Sequence, residues 1–272
     1  VAEKVETNNI KSISKAIKIL NLFTERANSW RITDVAAELN IPKSTVCAIV
    51  KSLERLYILE QINGSYYKLG VGIFQLGYVA RIGSEVYQSI TPLLEELYDR
   101  TGLITYFAIS HLGQILYIDS VYHSAQRKLG YSVAGRTSYM HCTGLGKAML
   151  AQAEPEHVEA IIDTMGLPKL TDYTITDPEK FKEELRAIKE RGYAVDLREA
   201  DPMIGCVAMS FKTRDGQLGG AISVSGSYLA FNETTIPGYV DSLAYICSEL
   251  SRRVERLPFK VRLVGDKNEK LT

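Results

Sequence analysis

The chain has 272 residues, 46% hydrophobic and 24% charged, with 32 basic against 32 acidic side chains and so no formal net charge. That is the make-up of an ordinary globular protein with room for two modest domains, and it excludes a chain that coats nucleic acid over its whole surface. No apolar run approaches the ~20 residues of a membrane span, the opening VAEKVETNNIKS lacks a signal-peptide core, and Cys47, Cys142, Cys206 and Cys247 stand far apart without a CxxC pair, which predicts reduced thiols in a cytoplasmic protein with no metal site.

The charge is unevenly spread. Residues 1–84 hold 11 Lys and Arg against 7 Asp and Glu, and the remainder 21 against 25. A basic head on an acidic body suits a DNA-reading module joined to something that does not touch DNA. In the head, Ile13, Ala16, Ile17, Leu20 and Phe23 recur at three and four residues and predict a first amphipathic helix. Trp30 and Ile32 follow in an extended piece. Thr33 is a good N-cap for a second helix, with Asp34 in its first turn and Val35, Ala36 and Leu39 turned inward. Asn40 ends that helix, and Pro42 is preset for the first turn of a third. There Val46, Ile49, Val50 and Leu53 face the core and leave Lys43, Ser44, Thr45, Cys47, Ala48, Lys51 and Ser52 on or near the outer face. The segments ILEQI and YYKLG flank Asn63-Gly64, a strong hairpin signal. Residues 10–70 thus read as a winged helix-turn-helix.

Residues 71–84, VGIFQLGYVARIGS, read as a linker helix whose apolar surface suggests a dimer contact, packing on its own chain being the competitor. The body, residues 85–260, alternates helix and strand: helix at Ser89–Arg100 stopped by Gly102, strands Leu103–Ser110 and Gln114–Val121 around Gly113, and helices Gly144–Gln152 and Pro178–Arg191. Strands Cys206–Lys212 and Gly219–Gly226 join through Asp215-Gly216, a helix spans Thr234–Arg256 around Pro237, and residues 261–272 form a tail. Hairpins together with helices predict an α+β domain with a mainly antiparallel sheet.

Polar and basic side chains at a helix N-terminus reach phosphates and base edges together with the free N–H groups of the helix. Lys43 and Lys51 are assigned to phosphates, Ser44 and Thr45 to phosphate or base edge, and Lys68 of the wing to the backbone; Thr33, Cys47 and Ala48 complete the DNA-facing set. In the body, Thr143-Gly144-Leu145-Gly146 precedes a helix and offers free N–H groups to an anion. It is not a nucleotide-binding P-loop, because Lys147 is followed by Ala148 and the first glycine is misplaced. Asp196 and Glu199 follow a strand-like YAV. Ser223 and Ser225, two apart on a strand, share a face and are able to donate to one ligand carboxylate.

KSTV in the third helix, the wing closing in YYKLG, HCTGLGKAMLA at 141–151, GYAVDLRE at 192–199, GCVAMSF at 205–211 and GGAISVSGS at 219–227 resemble, in order, the IclR family of bacterial transcriptional regulators. The resemblance runs from about Ser12 to Leu250. It implies a winged helix-turn-helix, a linker helix and a C-terminal GAF-like domain that binds a small organic acid (sugar, keto or hydroxy acid), in a homodimer or tetramer acting on a partly palindromic double-stranded DNA operator, with no further cofactor. Motif by motif, the implied effector contacts are Gly144, Leu145, Asp196, Cys206, Ser223 and Ser225. The chain departs from the family where Ala48 replaces a common arginine, Tyr57 a glycine after the third helix, Met203 a glycine, and Ser210 a proline. Tyr106, Tyr117, Tyr131 and Tyr139 are cavity-lining or core candidates.

An enzyme would need Cys142 or Cys206 as nucleophile with His111, His123, His141 or His157 as base. Only His141 and Cys142 are adjacent, and neighbours on a strand point to opposite faces. The expectation is therefore a ligand-controlled repressor with no catalytic residue. The alternatives are a DNA-binding protein whose second domain serves only oligomerisation or protein contacts, or an activator.

Overall fold

The computed structural model describes residues 10–24, 27–82, 85–122 and 133–255. His123, Tyr131, the last two linker residues and the 261–272 tail lie outside them. The chain folds as two compact units, divided after position 83.

The first unit holds helix α1 (Lys11–Leu20), strand β1 (Trp30–Arg31), helices α2 (Ile32–Glu38) and α3 (Lys43–Arg55), strands β2 (Leu59–Ile62) and β3 (Tyr66–Leu69), and helix α4 (Val71–Ile82). The strands form an antiparallel sheet in the order β1-β3-β2. Ile19, Val35, Val46, Val50, Leu59 and Tyr67 make its core. Asn63 and Gly64 both adopt positive φ and turn the chain between the two long strands, as the Asn-Gly signal demands.

Three details depart from expectation. In α1 the buried residue is Ile19, while Ile13 and Ile17 are 58% and 51% exposed. The helix has more apolar positions than its contact with α3 covers, so periodicity alone could not choose the inward side. Thr33 is not a cap: pairing with Tyr66 holds Arg31 extended, and the helix starts immediately after it at Ile32. Thr33 then lies in the first turn, its hydroxyl donating to Asp34 Oδ1 at 3.0 Å while Arg31 Nε donates to Oδ2 at 2.9 Å. Pro42 sits one place earlier than expected, at the N-cap, with ψ 132°.

Helices α2 and α3 end alike. Ile41 N bonds Ala36 O and Asn40 N bonds Ala37 O; Ile58 N bonds Leu53 O and Tyr57 N bonds Glu54 O. This is the Schellman pattern, whose reversing residue is left-handed. Asn40 (φ 50°) tolerates that conformation, but Tyr57 (φ 59°) fills a place that suits glycine. The Tyr57 carbonyl accepts from Gly72 N at 2.9 Å, and a Cβ at Gly72 would lie 2.8 Å from that oxygen. The strained stop of α3 is thereby tied to the first turn of α4.

The second unit is a six-stranded sheet in the order β6-β5-β4-β9-β8-β7, antiparallel at every pairing among the described residues. Its strands are β4 (Ile104–His111), β5 (Gln114–Val121), β6 (Thr137–Tyr139), β7 (Ala194–Leu197), β8 (Ile204–Lys212) and β9 (Leu218–Ser227). Helices α5 (Glu85–Thr101) and α9 (Ile236–Arg253) cover one face through Phe107, Val207, Ile222, Val224, Leu243 and Ile246. Helices α6 (Gly144–Leu150), α7 (Pro155–Met165) and α8 (Pro178–Arg191) belong to the other. β6 and α7 are the elements the sequence reading lacks. Ala108, Ala208 and Ala221 stand at the centre of this second face, and such small side chains let α6 lie close: a Cβ at Gly144 would come within 2.6 Å of Cys206 Sγ, and one at Gly146 would run into the Met140 backbone. Among the described residues no helix is long and apolar enough to cross a membrane.

Candidate DNA-reading face and effector site

On α3 the chain exposes Lys43, Ser44, Ala48, Lys51 and Ser52 and half-buries Thr45 and Cys47. This is the outward face the apolar spacing predicts. Thr33 is exposed on α2. Two of the expected phosphate ligands already hold carboxylates. Lys51 Nζ donates to Glu54 Oε2 at 2.8 Å and to Gln61 Oε1 at 3.3 Å, and lies 5.4 Å from the centre of the Tyr67 ring. Hydrogen bonding to Glu54, and then to Tyr67, raises its pKa. Lys68 pairs with Glu60 at 3.3 Å across the wing. Both pairs are at the surface, where such contacts contribute little, so exchange of the carboxylate for a phosphate is inexpensive. Beside this face α1 and α3 flank an open cleft of about 580 Å³ lined by Lys11, Ser12, Lys15, Ser44, Thr45 and Ala48, with Ile49. The α1 lysines escape a reading centred on α3, although their spacing of four already puts them on one side of a helix.

In the body, sheet register assembles the candidate effector residues. Asp196 opposes Cys206, which opposes Ser225. Ser223 stands between Ala208 and Tyr106. Since facing residues in an antiparallel ladder share a face, Asp196, Cys206, Ser223, Ser225 and Tyr106 all point to the α6 side. Asp196 lies within β7, not in the loop after it. Gly144 opens α6 directly over this surface, so near Cys206 that a Cβ there would lie 2.6 Å from the sulfur. Thr143 caps the helix, its hydroxyl accepting from Gly146 N at 3.2 Å. Leu145 is buried in the same layer. Ser225 Oγ donates to Gly205 O at 3.2 Å. Tyr106 and Tyr117 meet edge to face with ring centres 5.5 Å apart, and burial pushes the Tyr106 hydroxyl up to about 12. Tyr139 packs instead against His141.

A charged group that the sequence shows only as a mismatched P-loop lysine lies behind this surface. Lys147 is 1% exposed. Its Nζ donates to Val195 O at 2.7 Å and to Glu199 Oε1, with Glu184 at 3.9 Å. Glu199 N donates to Asp196 Oδ1 at 2.7 Å. Burial, reinforced by the neighbouring Glu199 charge, raises the Asp196 carboxyl to about 7; Glu199 is raised as well, mainly by burial. The only hint in the sequence is a lysine in the otherwise apolar run GLGKAML. The β7–β8 loop is further held by Thr174 Oγ1, which donates to Glu199 O at 2.7 Å, and by Arg198, whose guanidinium lies between the rings of Tyr173 and Tyr228.

The thiols are poor nucleophiles: burial raises Cys142 to about 12 and Cys206 further. His141 Nε2 is 3.1 Å from Pro168 O, and burial lowers its pKa. Among the described residues no group of three or more His, Cys, Asp or Glu is placed to hold a metal.

Residues 12–62 match the IclR helix-turn-helix domain and residues 79–252 the bacterial transcriptional regulator IclR C-terminal domain. The chain belongs to the IclR family. It is 28% identical over 247 residues to the HTH-type transcriptional regulator BhcR of Paracoccus denitrificans, covering 90% of this chain and 88% of that protein. It is 25% identical over 229 residues to the transcriptional repressor IclR of Escherichia coli, 83% of each. The crystal structure of an IclR homologue from Microbacterium hydrocarbonoxydans, complexed with 4-hydroxybenzoate, superposes with a TM-score of 0.73 at 21% identity, covering 89% of this chain and 99% of that one. As a member of the IclR family the protein is a DNA-binding transcriptional regulator and not an enzyme.

Proposed function

We propose that the protein is a cytoplasmic repressor released from a partly palindromic operator by a small organic acid bound beside the start of α6, over the sheet. The observation that carries this reading is the row Asp196, Cys206 and Ser225, with Ser223 and Tyr106 one step along, beneath the start of α6. The Ser223 and Tyr106 hydroxyls supply donors for a carboxylate, and the Ser225 hydroxyl joins them by leaving Gly205 O. Asp196 is an awkward neighbour for an anion, but burial raises its carboxyl to about 7, which favours a protonated form able to donate; once ionised it accepts from a ligand hydroxyl. The repressor name of one relative and the aromatic acid bound by the Microbacterium homologue support the same direction.

In this mechanism two subunits present two α3 helices to successive major grooves. The exposed apolar residues Phe74, Leu76 and Val79 of α4 favour pairing of chains, as a dimer or a tetramer of two dimers. The acid releases DNA by binding more tightly to the form of the dimer that does not fit the operator. The test is a thermal-shift panel of hydroxy, keto and aromatic acids on the full chain, followed by titration of each active acid into the protein–DNA complex. Ser223→Ala/Ser225→Ala is expected to lose the response while retaining DNA binding. Unchanged acid affinity in that variant removes the pocket assignment, and a wild type indifferent to every acid favours a body that serves only for assembly.

A further inference from the structure

The cleft between α1 and α3 has a composition that calls for an anion. Lys11, Ser12 and Lys15 line one wall, Ser44, Thr45 and Ala48 the other. The lining holds two ammonium groups and three hydroxyls and no carboxylate. Lys51 and Lys68 are engaged by Glu54 and Glu60, whereas among the described residues the side chains of Lys11 and Lys15 have no ion pair or hydrogen bond. Two like charges four residues apart on one helix repel each other weakly, and an anion lying against both relieves that repulsion. The opposite wall is the first turns of α3, where backbone N–H groups attract negative charge. At position 48 a methyl group leaves the cleft open where a long side chain would enter it.

We infer that this cleft is a seat for the DNA backbone, with Lys11 and Lys15 of α1 gripping phosphates against Ser44 and Thr45 of α3. Helix α1 then supplies the basic contacts that Ala48 lacks. The head draws its sequence-independent affinity from two helices, and Cys47 and Ser52 of α3, outside the cleft, stay free for base edges. The assignment rests on the DNA-binding head alone and is independent of the acid-response reading.

The experiment titrates the full-length chain into a labelled duplex of mixed sequence from about 50 to about 200 mM salt. Lys11→Ala/Lys15→Ala is expected to bind more weakly and to give a log affinity against log salt slope shallower by about 1.8 for each head engaged, about 0.9 per lost phosphate contact. Lys11→Arg/Lys15→Arg keeps the wild-type slope. Lys18→Ala, which removes an exposed lysine of the same helix outside the cleft, keeps it too. An unchanged slope in the double alanine variant, with Trp30 fluorescence and far-UV circular dichroism matching wild type, overturns the inference. An equal drop with Lys18→Ala reduces the effect to net charge and overturns it as well. A wild type that binds no duplex at low salt overturns DNA binding by this head itself, and is told apart from the other outcomes by that control.

Discussion

Replacing Asp196 by asparagine tests the electrostatics of the body directly. The carboxyl is 4% exposed, and burial moves it from 3.8 to about 7. Between those values the folded chain holds a proton that the unfolded chain releases. The contribution of this group to stability is therefore fully present below about pH 4 and is lost as pH rises through 7. A gap of about three pH units at about 1.4 kcal/mol each sets the loss on the order of 4 kcal/mol. Asparagine keeps an oxygen to accept from Glu199 N and has no charge to desolvate. Asp196→Asn is thus expected to flatten the fall in stability between about pH 4 and about 7, groups remote from Asp196 cancelling in the comparison while Glu199, coupled to it, shifts with the substitution. The measurement is urea unfolding by far-UV circular dichroism at several pH values. The single tryptophan, Trp30, lies in the first unit, so its fluorescence follows the head separately and guards against treating two units as one transition. Superimposable pH profiles for wild type and Asp196→Asn would refute the reasoning.

Tyr57→Gly relieves a left-handed residue whose side chain is 71% exposed. It should stabilise the head by about 1 kcal/mol, seen as a higher urea midpoint in Trp30 fluorescence; an unchanged or lower midpoint rejects the strain. Lys147→Met leaves Glu199 buried opposite an apolar side chain and should cost about 3–5 kcal/mol. Adding Glu199→Gln should recover much of that loss, and strict additivity in the double-mutant cycle would show that the two side chains do not act as a pair.

The head was readable because its signals are local. Pro42 before a helix, Asn63-Gly64 between two strand-like runs, and three- and four-residue apolar spacing each depend on neighbours within one turn or hairpin. Helix α8 and strand β5 fall on their expected ends for the same reason: Asp177 caps Lys180 N at 2.9 Å and Gly192 closes the helix at φ 85°, while Gly113 turns the chain ahead of Gln114. Thr33 misled because a residue suited to a cap becomes one only if the preceding chain leaves it free, and pairing of Arg31 with Tyr66, more than thirty positions away, starts the helix earlier. α1 misled because its apolar positions outnumber those its partner buries, so which side faces the core is a property of the contact.

For the site, sequence by itself marked the residue types and their order: glycines at the start of α6, an aspartate after a short apolar strand, and alternating serines. The family resemblance also marked Tyr57 as standing where a glycine is usual, and the φ of 59° shows which conformation the tyrosine adopts there. Tertiary structure decided what those residues do together. Register across β7, β8 and β9 sets Asp196, Cys206 and Ser225 in one row, and close approach of α6 to small side chains buries Lys147 against Glu199. Packing of α1 on α3 brings Lys11 and Lys15 alongside Ser44 and Thr45. These contacts join residues from ten to about fifty positions apart, across different elements, and no short-range spacing rule encodes them. The cost of desolvating a charge, which governs Asp196, exists only once the chain has folded around it.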